Sequence, residues 1–208
     1  MKKHRYPNKG MEIHEITPII LGGSPTDPSN KVLIPREEYG AIVTYWNNIL
    51  KQVLKEERRD YPIINDKSEK MNDSVTFNDI KPLLKDLELN SPASLEKILS
   101  LEKDLGIKLP DQYIEFMMNS NGAEGMIGNS YLVLWTIEEI IPYNNSYSVP
   151  EFAPGIIVFG SNGAGEAYGF DVRQGNQIVM MPFIGLTNIE ITKLANSFFG
   201  FLKHLAGE

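Results

Sequence analysis

A chain of 208 residues with 27 acidic and 20 basic side chains, 42% hydrophobic and 23% charged, has the composition of one or two folded globular domains. It contains no cysteine, which excludes disulfides, thiolate zinc sites, iron–sulfur clusters and thiol nucleophiles. No stretch approaches the roughly 20 apolar residues of a membrane span, and no apolar run of signal-peptide length follows the basic start, so the expected compartment is the cytoplasm.

From Met11 to Leu33 the chain is turn-rich, with Gly22-Gly23 and the run SPTDPSN at 24–30. A helix opens at Pro35, where Tyr39, Ile42, Val43, Trp46, Ile49, Leu50, Val53 and Leu54 recur at three- and four-residue spacing. That stripe must dock on another element to leave water. The polar stretch RRDYPIINDKSEKMNDS (58–74) reads as a linker. Beyond it, Ser91-Pro92 marks a helix start, Leu95, Ile98, Leu99, Glu102 and Leu105 share a face, and Gly106 supplies the stop. Pro110 opens a second helix bearing Tyr113, Phe116 and Met117, closed by Asn121-Gly122. Strands are expected at YLVLW (131–135), GIIVFG (155–160), EAYGFDV (166–172) and NQIVMMPF (176–183), the last two joined as a hairpin by RQGN. A closing helix from about Ile189 would bury Leu194, Phe198, Phe201, Leu202 and Leu205. Helices, then clustered strands, then a helix describe an α+β fold.

Charge is divided along the chain. Residues 1–75 carry 12 basic and 11 acidic side chains, residues 76–208 carry 8 and 16, so the balances are +1 and −8. The acidic part repels phosphate backbones and favours a basic partner, so no direct nucleic-acid binding and no membrane partner are expected.

The chemistry-bearing residues are few. Only His4, His14 and His204 could serve as imidazole ligands or bases, and His4 and His204 have no pattern around them. The run GSNGAGEAYG (160–169) has Tyr at 168, where a dinucleotide fingerprint needs its last glycine, and a strand rather than a helix follows it. It is therefore a turn between strands. The pairs Glu37-Glu38, Glu56-Glu57 and Glu138-Glu139 are adjacent on helices and do not converge, and no serine stands in a nucleophile elbow.

The run IHEITPIILGGSPTDPSNKVLIPREEY (13–39) resembles the ββα-metal core of HNH endonucleases. His14 matches the first His of the His pair, Pro18 the proline, Gly22-Gly23 the turn and Asn30 the central Asn. The base-type second His is replaced by Glu15 and the helical His ligand by Tyr39, a neutral and poor ligand for a hard cation. The resemblance implies a degenerate, non-catalytic segment. No metal and no cofactor are expected.

The segment from about Ser94 to Leu186 resembles the SUKH superfamily, the Smi/Knr domain of a yeast cell-wall regulator and of many bacterial immunity proteins. The matching residues are Glu102, Leu105-Gly106, Leu109-Pro110, Tyr113, Phe116 and Asn121-Gly122, then YLVLWTIEEI (131–140), then Gly160, Gly165 and Asp171. This likeness implies helices packed on a mainly antiparallel sheet. With it, the chain divides into a degenerate HNH-like segment with its amphipathic helix (1–57), a linker (58–75) and a SUKH-like domain (76–208).

The implied function is that of an immunity protein, not an enzyme, which binds and neutralises a cognate secreted polymorphic toxin, a basic nuclease. Two alternatives stand beside it: a metal-dependent HNH-like nuclease with a SUKH regulatory domain, and a scaffold of the cell-wall-regulator type. Candidate partner-binding residues are Glu124, Glu138, Glu139, Glu151, Glu166 and Asp171, chosen because they lie in or beside expected loops and strand ends.

Overall fold

The computed structural model describes residues 6–53, 75–186 and 191–208. Strands β1 (Met11–Glu15) and β2 (Lys31–Pro35) pair antiparallel, with Met11 opposite Pro35 and Glu15 opposite Lys31. The chain between them makes two 3-10 turns, Ile19–Leu21 and Pro28–Asn30, the second opened by Asp27, which accepts the Ser29 N–H at 2.8 Å.

Helix α1 (Arg36–Val53) follows at once. Its buried line is Tyr39, Gly40, Val43, Asn47 and Leu50, narrower than the apolar stripe suggests. Ile42, Trp46 and Ile49 lie at its margins, Val53 is 67% exposed, and Leu54 falls outside the described residues. A polar residue completes the line because it has partners there: Asn47 donates to the Phe183 carbonyl at 2.8 Å and accepts the Gly185 N–H at 2.6 Å. At Gly40 a side chain would run into Ser146, so glycine permits the close crossing of α1 on a later helix.

The rest of the chain supplies α2 (Phe77–Ile80), β3 (Leu87–Leu89), α3 (Leu95–Leu105), α4 (Asp111–Asn119), β4 (Ala123–Ile127) and β5 (Ser130–Leu134). Then come α5 (Ile137–Ser146), α6 (Val149–Phe152), β6 (Ile156–Ser161), β7 (Glu166–Asp171), β8 (Gln177–Pro182), β9 (Thr192–Ala195) and α7 (Phe198–Ala206). Strands β3 to β9 form one sheet in chain order, every neighbouring pair antiparallel. The fold is α+β.

The four expected strands are β5 to β8, and β7 and β8 form the expected hairpin through the turn that ends at Gly175. Three differences have local causes. The cap of α3 is Ser94, whose hydroxyl accepts the Lys97 N–H, rather than Ser91. Leu194 belongs to β9, and α7 starts only at Phe198, where Ser197 caps it by accepting the Gly200 N–H at 3.2 Å. Strand β3 is only three residues long, and β4 and β9 lack apolar alternation, so sheet neighbours rather than their own pattern hold them extended. The expected linker, 58–75, lies outside the described residues save for Val75.

The core is continuous from α1 to α7. It includes Tyr39 and Val43 together with Ile98, Tyr113, Leu132, Val158, Phe170, Phe183 and Phe201, so α1 docks on the sheet-bearing part. One aromatic group joins Tyr113 of α4, Phe159 of β6, Phe170 of β7 and Phe198 of α7, with ring centroids 4.5 to 5.8 Å apart. A second joins Tyr39, Trp135, Tyr147 and Phe183, with Tyr147 stacked on Phe183 at 4.6 Å and on Trp135 at 5.7 Å.

Candidate partner-binding site

Alternation along β1 sends its side chains two ways. Glu12 and His14 are buried, while Ile13 and Glu15 are only half-buried. On the buried side, Glu12 Oε1 accepts from Arg36 Nε at 2.9 Å and from Ser161 Oγ at 3.0 Å. Arg36 also pairs with Glu124, which accepts in addition from the Tyr131 hydroxyl and the Gly10 N–H. Burial raises the Glu12 carboxyl above its usual range, against the opposing pull of Arg36. For Arg36 burial acts downward, but Glu124 and Glu12 outweigh it and hold the guanidinium charged. The His14 ring meets Tyr39 edge-on at 5.7 Å, and burial pushes its imidazole down toward the neutral form.

The other side of β1 borders a cavity of about 360 Å³. Ile13 and Glu15 form one wall, and Pro18, Ile19 and Ile20 of the first 3-10 turn form the next. Ala164, Gly165 and Glu166, at the start of β7, lie across from Pro182 and Ile184, and Tyr39 completes the lining. The walls are held by backbone bonds: the Ile13 N–H donates to Gly163 O and the Phe183 N–H to Gly165 O, both at 2.8 Å. Asn162 shapes the glycine-rich turn by accepting the Ala164 and Glu166 N–H groups at 2.8 and 3.0 Å, which leaves no helix N-terminus there for a phosphate. Asn30 fastens the opposite loop, accepting the Thr17 N–H and donating to the Thr17 and Ser24 carbonyls.

Two carboxylates stand among these apolar walls. Glu15 has Lys31 only at 3.9 Å. Glu166 has no cation within ion-pair distance among the described residues, and burial, then the charge of Glu15, raises its carboxyl above the usual range. Burial, then Glu12, Glu15 and Glu166, push the Tyr39 phenol well above its ordinary value, so it stays neutral. Among the described residues no group of three or more His, Asp or Glu side chains is placed to hold a metal ion.

The six acidic residues named from sequence do not share one surface. Glu124 is 8% exposed and Asp171 5%, both turned inward. Asp171 grips Arg173 through Nε and Nη2, each at 2.8 Å, and caps the turn after β7, while Glu124 neutralises Arg36. In sequence Glu124 stands beside the Asn121-Gly122 loop and Asp171 near a strand end, but the pleats of β4 and β7 point each of them at an arginine. Glu138 pairs with Lys97 at 2.7 Å and accepts from Asn121, Glu139 caps α5 at the Thr136 N–H, and Glu151 pairs with Lys51 at 2.7 Å. Glu166 alone of the six lines the cavity. Sequence reasoning missed Ile19, Ile20 and Tyr39 as cavity walls. The available signal was the apolar triplet Ile19-Ile20-Leu21 inside a turn, where its side chains are exposed.

The residues singled out as motifs act as fold determinants. Glu102, buried in α3, accepts the Leu109 N–H at 2.9 Å and Lys108 Nζ at 2.8 Å, fixing the turn into α4. Asn121 accepts the Ile137 N–H at 2.9 Å, and at Gly160 a side chain would run into the Val133 carbonyl. Residues 92–204, which contain all of these, match the SMI1 / KNR4 family (SUKH-1). The chain belongs to this family. The SUKH-1 match covers α3 to most of α7 and the strands from β4 to β9, and β1, β2, α1, α2 and β3 precede it. A stretch of 82 residues is 35% identical to the uncharacterised protein YnaB of Bacillus subtilis (strain 168), covering 39% of this chain and 48% of that protein. The chain thus spans about half the length of that relative. The SUKH-1 family includes immunity proteins. No helix among the described residues is long and apolar enough to cross a membrane.

Proposed function

We propose that this protein is an immunity protein, which binds the toxic domain of a cognate secreted polymorphic toxin, a basic nuclease, and blocks its active surface in the cytoplasm without catalysing a reaction itself. Membership of the SUKH-1 family carries the reading. The −8 balance of residues 76–208 supports it, because an acidic protein can occupy a surface built to hold phosphates and is steered toward it. The exposed carboxylates of Glu138 and Glu151 and the half-buried ones of Glu139 and Glu166 are the contact groups; Glu124 and Asp171 support the fold from within.

The likeness of residues 13–39 to an HNH core is retained as a proposal about origin rather than activity. The order strand, strand, helix and the meeting of His14 with Tyr39 support it, while a neutral phenol at the ligand position weighs against cleavage. The test is co-expression of this chain with the C-terminal domain of a large secreted protein encoded beside it. Survival of the cells and a complex on mixing are the expected result; equal killing with and without this chain, and no complex, would overturn the assignment. Plasmid cleavage with Mg²⁺, Mn²⁺, Ni²⁺ or Zn²⁺ that is lost in His14→Ala would instead favour the nuclease.

A further inference from the structure

Of the twelve large hydrophobic side chains exposed among the described residues, six lie in one short stretch: Ile16, Ile19, Ile20, Leu21, Val32 and Leu33. They belong to the β1–β2 hairpin and its turn, outside the family match, and Ile19 and Ile20 also line the 360 Å³ cavity. Exposed apolar side chains concentrated around a concavity mark interaction sites rather than ordinary surface. The volume is near the lower end of the about 300–1,000 Å³ range of ligand pockets and suits a slender occupant.

Its lining sets the chemistry. The stem of an occupant would meet Ile13, Pro18, Ile19, Ile20, Pro182 and Ile184, and its polar end would meet Glu15 and Glu166. A carboxylate withdrawn from water without a counter-ion is costly, and Glu166 is in that position, since Lys31 stands 3.9 Å from Glu15 and makes no ion pair with Glu166. An anion would be repelled, and a wholly apolar group would leave Glu166 still less solvated. A long aliphatic stem ending in a cation satisfies both parts, and lysine and arginine side chains have that form.

We propose that the cavity between the β1–β2 hairpin and the β6–β7 turn is the anchor pocket for a single lysine or arginine side chain of the protein partner, its stem against the isoleucines and its cation between Glu15 and Glu166. This rests on the immunity reading for the partner's identity but not for the pocket's chemistry. It adds the hairpin, which the family match does not cover, to the recognition surface. Arginine-type anchors in desolvated pockets ringed by apolar contacts are the groups that carry most interface energy.

The pocket can be tested without the partner. Titration of the ¹⁵N-labelled full chain with n-pentylammonium, which copies a lysine stem and cation, should shift the amides of Ile13, Ile20, Gly165 and Glu166. The neutral n-pentanol should bind at least about tenfold more weakly, the loss expected for a charge-assisted contact. The Glu15→Gln/Glu166→Gln variant should keep a folded spectrum and lose the preference. Absence of shifts, or equal binding of amine and alcohol, overturns the proposal. If a complex with the toxin domain forms and this variant binds it with unchanged affinity, the pocket assignment falls while the immunity function stands. If no toxin is neutralised but the amine still binds selectively, the immunity reading falls and the cation pocket remains.

Discussion

Arg36, the first residue of α1, donates to Glu124 of β4 from Nη2 at 2.9 Å and from Nη1 at 3.3 Å, while its Nε holds Glu12 of β1 at 2.9 Å. One guanidinium thus ties the N-terminal hairpin, its helix and the family sheet across 88 residues of sequence. The side chains of Arg36, Glu12 and Glu124 are 10%, 0% and 8% exposed, so removing the cation strands two carboxylates out of water. Arg36→Met should cost about 3–5 kcal/mol in urea unfolding. The triple change Glu12→Leu/Arg36→Met/Glu124→Leu should recover much of it, and a triple variant no more stable than the single one would show that the pairing itself, not the stranded charge, matters.

A chain beginning at Val75 retains the whole sheet from β3 to β9 and helices α2 to α7. Calorimetry should show a cooperative transition at a lower temperature than the full chain, because Tyr39 and Val43 leave the shared core and Glu124 loses Arg36. Adding Glu124→Leu should restore part of the loss. A molten or insoluble product would mean that the two segments cannot fold apart.

Glu102 is held ionised, chiefly by Lys108 and then by the Leu109 N–H, so its carboxyl lies below the ordinary 4.5. A depressed acid adds stability that is present above pH 4.5 and disappears as the pH falls through the folded value. Glu102→Ala should cost about 1–3 kcal/mol at pH 7, since a buried N–H at Leu109 loses its acceptor. The cost should shrink in acid, and pH-independent loss in denaturation curves at pH 7 and 3.5 would contradict this origin.

His14 is depressed in the same direction, but by burial rather than by a partner. Burial depresses its imidazole below the ordinary 6.5, so the unfolded chain takes up a proton before the folded one. Its contribution is intact above pH 6.5 and is lost as the pH falls below it, at no more than about 1.4 kcal/mol per pH unit. The buried acid Glu12 and the cavity acid Glu166, both raised, act the other way at lower pH. Comparing the chain with His14→Gln between pH 7.5 and 5.5 isolates the histidine: the variant should lose less stability on acidification, and parallel curves would contradict a buried neutral ring.

Association with a basic toxin domain should be faster at low salt, since screening over about 10 Å at 0.1 M weakens the steering field. Reversing Glu138 and Glu151 to Lys should slow association without changing the thermal midpoint by much, as both carboxylates are exposed and their pairs with Lys97 and Lys51 lie at the surface. Stopped-flow rates between 20 and 300 mM salt decide it, and a rate indifferent to salt would remove charge steering from the account.

Local patterns were legible in the sequence. The β7–β8 hairpin, the stop of α3 at Gly106, the opening of α4 after Pro110 and the docking of α1 each follow from turn chemistry or periodicity within a few residues. The roles of Glu102 and Asn121 were not legible: Glu102 reaches past the end of α3 to the Leu109 N–H, and Asn121, read as the close of α4, accepts from Ile137 at the start of α5, two strands further on. Strands β3, β4 and β9 escaped because three residues are too few to show a period in β3 and the residues of β4 and β9 do not alternate, so only the neighbouring strand's hydrogen bonds define them. The acidic residues show the same divide. Composition sets the number of carboxylates and their concentration after residue 75. It cannot say that Glu124 and Asp171 face arginines inside, that Glu138 and Glu151 meet lysines at the surface, or that Glu15 and Glu166, 151 positions apart, share one cavity. Those outcomes depend on which strands become neighbours and which way each pleat turns, and long-range pairing between β1, the β6–β7 turn and α1 settles them only when the core closes.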